Sequence, residues 1–146
     1  MIPINNMTEA LAEQTPQEQE VDNTDAIAAV LAALDGEEGS PTEYELEEWK
    51  DMYGVFYISS IGDDDNLYIW RTLKRLEYKQ LIKSGVANDQ MRYEEAVLTR
   101  CSLWPKLGLE AMAKLNAGVV ETLAKQVLYK SGFVSDQMAL SMIKVI

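Results

Sequence analysis

The sequence predicts an α+β fold, mainly helical, in which one β-hairpin is followed by a bundle of about four helices and preceded by an acidic, partly disordered arm. Three observations carry this reading. Two β-branched and aromatic runs, Val55-Phe56-Tyr57-Ile58 and Leu67-Tyr68-Ile69-Trp70, flank the turn-rich Gly62-Asp63-Asp64-Asp65-Asn66, as two strands joined by a loop require. Beyond them, apolar residues recur at helical spacing in segments broken by Ser-Gly, Pro and Gly. Finally, the net charge of −11 is unevenly divided. Residues 1–65 hold 17 of the 24 acids and a single base, Lys50, a net of −16, whereas the remainder holds 12 bases against 7 acids, a net of +5.

A length of 146 residues suits one domain with a sizeable core, and 47% hydrophobic residues argue against a wholly disordered chain. We divide it into an N-terminal arm, residues 1–41, containing a short amphipathic helix over 24–35, and a helical body, residues 42–146, with the hairpin over 54–72. No apolar run approaches the roughly 20 residues that cross a bilayer, and residues 1–20 lack a basic start with an apolar block, so a cytosolic protein with no membrane contact is expected. Cys101 is the only cysteine, so neither an intrachain disulfide nor a thiolate metal cluster is available to one chain.

Within the arm, residues 1–23 carry Pro3, Pro16 and a Gln/Glu-rich run without a sustained period, and disorder is expected. Ile27, Val30, Leu31 and Leu34 then form one stripe of a short helix capped by Asn23 or Thr24 and ended by Gly36. A helix of about three turns is marginal alone, so its stripe needs a surface. That surface is either the protein's own core or the groove of a partner. The acidic arm likewise is either solvated or laid over the basic half until a partner displaces it.

In the body, Thr42 and Glu45 make a capping-box pattern that opens a helix to about Met52, with Leu46, Trp49 and Tyr53 on one face and Gly54 as its stop. The Asp63-Asp64-Asp65 triplet lacks the bend glycine and distal glutamate of a calcium loop and reads as a solvated hairpin tip. Residues 71–83 are expected to be a helix with Leu73, Leu76 and Leu81 inward, Ile82 beside them, and Arg71, Lys74, Arg75, Lys79 and Lys83 on a basic face that Glu77, paired with Lys74, neutralises only in part. Asn88 or Asp89 caps a long helix to about Leu103, with Tyr93, Val97, Cys101 and Trp104 on one face. Cys101 there reads as an inert buried thiol, because no histidine exists to activate it. A short helix over 109–115 follows. Val119, Val120, Leu123, Ala124, Val127 and Leu128 then make a stripe wide enough for a central core helix, ended by Gly132-Phe133. Ser135 and Asp136 cap a last helix with Ala139, Met142, Ile143 and Ile146 on one face.

No glycine-rich phosphate loop, metal-ligand spacing or nucleophile–base set occurs, so no cofactor and no enzymatic activity are expected. Direct nucleic-acid binding is disfavoured, because the bases are spread out and the arm would repel phosphates. The residues left for a protein partner are the stripe Ile27, Val30, Leu31 and Leu34, the cations Arg71, Lys74, Arg75 and Lys79, and the apolar end marked by Met142 and Ile146. Seven methionines would make such a surface adaptable.

The succession LYIWRTLKRLEYKQLI, EEAVLTRCSLWP and LNAGVVETLAKQVLYKSGF resembles small tail-assembly proteins of long-tailed bacteriophages. The matching features are a strand ending in Trp70-Arg71, a helix beginning Lys74-Arg75-Leu76-Glu77-Tyr78, and a second helix ending in Cys101 before Trp104-Pro105, over roughly residues 54–133. Tail assembly chaperones, which keep the tape measure protein soluble, and baseplate hub assembly proteins share this pattern. The resemblance implies a non-catalytic assembly protein, working in the host cytoplasm during morphogenesis, that binds a tape measure or hub protein; self-association is left open. The alternative is a structural virion component, a tail, baseplate or connector subunit, whose arm binds neighbouring subunits.

Overall fold

The computed structural model describes residues 23–35, 37–62 and 66–146. The chain divides into two compact units, residues 1–36 and Glu37–Ile146. In the first, helix α1 spans Asn23–Ala33, and beyond it the Leu34 amide donates to the Val30 carbonyl at 3.0 Å and the Asp35 amide to that of Ala32 at 3.3 Å. Of the stretch expected to be disordered, residues 1–23, only Asn23 is described, and it opens α1; the rest and the acidic triplet at 63–65 lie outside the described residues.

The second unit is mainly helical with one three-stranded antiparallel sheet. Helix α2, Glu43–Tyr53, starts on the expected capping box: the Thr42 Oγ accepts from the Glu45 amide and the Glu45 carboxylate accepts from the Thr42 amide. It ends at Gly54, whose φ of 74° needs a residue without a Cβ. Strands β1, Tyr57–Ile61, and β2, Asn66–Trp70, form the expected hairpin, with Tyr57 opposite Trp70 and Ile61 opposite Asn66. The Tyr57 and Trp70 rings stack with centroids 4.7 Å apart, a cross-strand pair that fixes the register. Across the sheet, the Trp70 indole donates to the Ser59 hydroxyl at 2.8 Å, and that hydroxyl donates to the Gln126 amide oxygen at 2.6 Å.

The expected helix over 71–83 begins later, as α3, Arg75–Ser84. Residues 71–73 are held extended because their amides are committed elsewhere: Arg71 donates to the Cys101 carbonyl at 2.9 Å and Leu73 to the Ser131 hydroxyl at 2.8 Å. Lys74 is the N-cap, and its amide donates to the Glu77 carboxylate at 3.1 Å, one half of a capping box. The later start also corrects the inward face. Leu73 and Leu81 are buried as expected, but Leu76 is 67% and Ile82 47% exposed, and Tyr78 packs inward instead.

After a single 3-10 turn, Val86–Asn88, helix α4 spans Gln90–Cys101. The Asp89 carboxylate caps it, accepting from the Met91 and Arg92 amides. Helix was expected to continue to about Leu103; instead Ser102–Trp104 is a third strand, β3, antiparallel to β2, with Ile69 opposite Trp104 and Trp70 opposite Ser102. Tyr68, Ile69 and Trp70 are all buried, so β2 is a central strand, and its outer edge needs hydrogen-bonding partners that β3 supplies. The Ser102 hydroxyl fixes the turn that follows by accepting from the Leu107 amide at 3.0 Å.

Helices α5, Leu109–Ala113, α6, Ala117–Lys130, and α7, Asp136–Ser141, complete the unit. Val119, Leu123, Ala124 and Val127 of α6 are buried with Val97, Leu98 and Cys101 of α4 in one core that also takes in Tyr68, Trp70, Leu73, Leu81, Leu107 and Met112. The α6 terminus closes in a Schellman motif: Gly132, at φ 101°, donates to the Tyr129 carbonyl, and Phe133 to that of Leu128. Helix α7 was expected to carry Met142, Ile143 and Ile146 on one face; it stops at Ser141, whose hydroxyl bonds back to the Met138 carbonyl, and residues 143–146 continue without helix.

Candidate functional site

The expected basic face of α3 separates into two parts with different chemistry. Arg71 turns inward and is half-buried. Its guanidinium meets the Glu77 carboxylate through two bonds of 2.8 Å and donates to the Thr72 and Arg100 carbonyls at 3.1 and 2.9 Å. It also lies 5.0 Å from the Tyr53 ring centroid, a cation–π contact. One side chain thus ties together the end of β2, the first turn of α3, the carbonyl end of α4 and the last residue of α2. A cation at the C-terminus of α4 is further favoured by that helix's dipole. The paired, partly buried geometry shifts both groups: the hydrogen bond from Arg71 holds the Glu77 carboxyl below its ordinary value against the opposing effect of burial, and the same bond raises Arg71 further. The expected Lys74–Glu77 side-chain pair is therefore replaced by Arg71–Glu77, the Lys74 amide being the group that reaches Glu77.

Lys74, Arg75, Lys79 and Lys83 are exposed and have no ion-pair partner among the described residues. Beside the first two lies a shallow groove of roughly 220 Å³, lined by Leu73, Tyr78, Ser131, Gly132 and Phe133. The Schellman turn of α6 places Phe133 against Tyr78, with ring centroids 5.0 Å apart, and Arg75 lies 5.5 Å from the centroid of Tyr78. Two aromatic rings edged by Lys74 and Arg75 can receive a segment that presents a carboxylate next to an apolar side chain. The proximity of Phe133 to α3 had no local signal in the sequence, because 55 positions separate it from Tyr78.

The remaining expected contact residues fall apart from this groove. Of the α1 stripe, Ile27 and Leu34 are buried, and Val30 and Leu31 half-buried. Met142 and Ile146 are exposed, at 60% and fully. Sequence reasoning missed Glu94, which is 7% exposed on the buried side of α4. Its signal was positional: Glu94 stands four residues before Leu98 and seven before Cys101, on their row.

Burial pushes the Cys101 thiol up to about 12, so it is protonated near neutral pH. The groove gathers two cations, two aromatic rings, Leu73 and the Ser131-Gly132 turn. They fit recognition of an anionic, apolar surface.

The fold is an α+β protein of seven helices and one three-stranded sheet among the described residues. No family model, curated protein or solved structure matches the chain.

Proposed function

We propose that this protein is a non-catalytic bacteriophage tail or baseplate assembly protein that binds a tail component, such as a tape measure or hub protein, during morphogenesis. The observation that supports it best is the groove edged by Lys74 and Arg75 over Tyr78 and Phe133, continued along α3 by Lys79: an exposed basic and aromatic surface without neutralising partners among the described residues. The resemblance over residues 54–133 supplies the class of partner. Its pattern residues Arg71, Glu77 and Cys101 are the ones that join β2, α3 and α4, so in this reading the shared pattern maintains the frame on which the groove is carried.

The test is co-expression with the tape measure and hub proteins of the same source, followed by affinity capture. Capture of one of them is expected, and Arg75→Glu/Lys79→Glu should weaken it at least about tenfold, or ~1.4 kcal/mol, while leaving the unfolding midpoint unchanged. No association with any tail, tape measure or baseplate protein would end the proposal. Quantitative mass spectrometry of purified particles separates the structural alternative: many copies per particle make the chain a virion subunit, whereas presence in infected cells with scarcity in particles fits an assembly factor.

A further inference from the structure

Between α4, α5 and α6 lies a second cleft, of roughly 350 Å³, within the size range of ligand-sized pockets. Met91, Met112 and Val120 give it an apolar lining, and Glu94, Glu95 and Glu121 also line it. Its acidity is local, because the chain beyond residue 65 carries a net charge of +5. Glu94 is the unusual member. It is 93% buried, yet it has no hydrogen bond and no ion pair among the described residues. The nearby Lys125 ammonium is already bonded to Glu121 at 3.0 Å on the exposed side. Lys125 feels the Glu94 charge only at a distance, and a cationic side chain entering the cleft would give that carboxylate a direct partner.

The same chain carries a segment of complementary chemistry. After α7, Met142 and Ile143 are 60% and 70% exposed and Val145 and Ile146 fully exposed, and Lys144 stands among them without an ion-pair partner among the described residues. Four aliphatic or thioether side chains around one ammonium match an apolar cleft around a buried carboxylate. Exposed contiguous apolar side chains of this kind mark a contact surface, and the methionines in the lining can repack around branched residues.

From this match we infer that the cleft receives residues 142–146 of a second copy of the chain, Lys144 pairing with Glu94 and Glu121 while Ile143 and Val145 fill the space between Met91, Met112 and Val120. The contact is heterologous: each copy offers one tail and one cleft, so the dimer retains a free tail and a free cleft, and assembly continues unless a ring closes.

Sedimentation equilibrium of the full-length chain over a wide concentration range tests this. The wild-type average mass should rise with concentration past that of a dimer and fall as salt is added. Ile143→Asp/Val145→Asp removes the tail, and Glu95→Lys/Glu121→Lys makes the cleft repel it; each variant alone should stay monomeric up to about 1 mM. Mixed in equal amounts, the two variants should form a dimer and nothing larger, because the pair retains one intact tail and one intact cleft. Glu121→Lys alone, at an exposed position, should weaken self-association at least about tenfold. A wild-type chain that remains monomeric throughout, a single variant pair that still associates, or a mixture that stays monomeric would overturn the inference.

Discussion

At the scale of the residue, Arg71 ties several elements together, and its removal strips four groups of a partner at once. Arg71→Ala leaves the Glu77 carboxylate without its bidentate partner, frees the Thr72 and Arg100 carbonyls and uncovers the Tyr53 ring. Because the pair is partly exposed, at 14% and 20%, a cost of about 2–3 kcal/mol is expected, below that of a fully buried pair, and denaturant unfolding measures it. The same pair sets an acid limb. The Glu77 carboxyl is held below its ordinary value of 4.5 in the folded protein, so its contribution is fully present above that pH and is lost as pH falls through the folded value. Stability followed from neutral pH into this range should decline, and the decline should be shallower in Glu77→Gln. Cys101 offers a second residue-scale measurement. With its sulfur fully buried and its thiol pushed up to about 12, it should resist a thiol reagent in the native protein and react at an ordinary rate once the chain is unfolded. Rapid native labelling would contradict the burial described.

Among the elements, two glycines near the ends of α6 should respond with opposite sign to the same substitution. Gly132 sits at φ 101° in the Schellman turn, and a Cβ built there meets no atom within 4 Å, so the cost of Gly132→Ala is conformational and should be about 1–2 kcal/mol. Gly118 lies in the first turn of the helix, also with open space around it, and Gly118→Ala should stabilise by about 0.5–1 kcal/mol by restricting the unfolded chain. Thermal unfolding of both variants checks the pair. The ends of elements were largely legible in the sequence: Thr42 with Glu45, Gly54, Asp89, Gly132 with Phe133 and Ser135 all act as their local chemistry dictates. What was not legible follows from distant neighbours. Ser102-Leu103-Trp104 continues the helical row of Tyr93, Val97 and Cys101, and only the unpaired edge of β2 turns it into a strand. Arg71 has a plausible helical start and a nearby glutamate at the right spacing, but the Cys101 carbonyl and the Ser131 hydroxyl hold residues 71–73 extended and swing the pairing to Arg71–Glu77. The groove inherits the same limit. Its cations were readable as a helix face, whereas Phe133 reaches that face only through the packing of α6.

For the whole molecule, the core cluster and the residues packed on it run from Tyr57 to Leu128, so every one of them lies in the second unit. Val97, Leu98, Cys101, Leu123, Ala124 and Val127 are fully buried there, and the three strands pair with one another. A chain reduced to residues 37–146 therefore retains its entire cluster, its sheet and the Arg71–Glu77 pair. It also loses seven acids and no base, which brings the net charge from −11 to −4 and lowers self-repulsion. This fragment should unfold in one cooperative denaturant transition, and its slowest amide protons should be those of α4 and α6, whose exchange reports global opening. A broad, non-cooperative transition would mean that residues 1–36 contribute to the core. Retained cooperativity would make the second unit an autonomous domain, and capture experiments on the α3 groove could then be repeated on it to ask whether the acidic arm competes for Lys74, Arg75 and Lys79. If it does, the fragment should bind the captured partner more tightly than the full chain at low salt, and the difference should shrink as salt screens the arm.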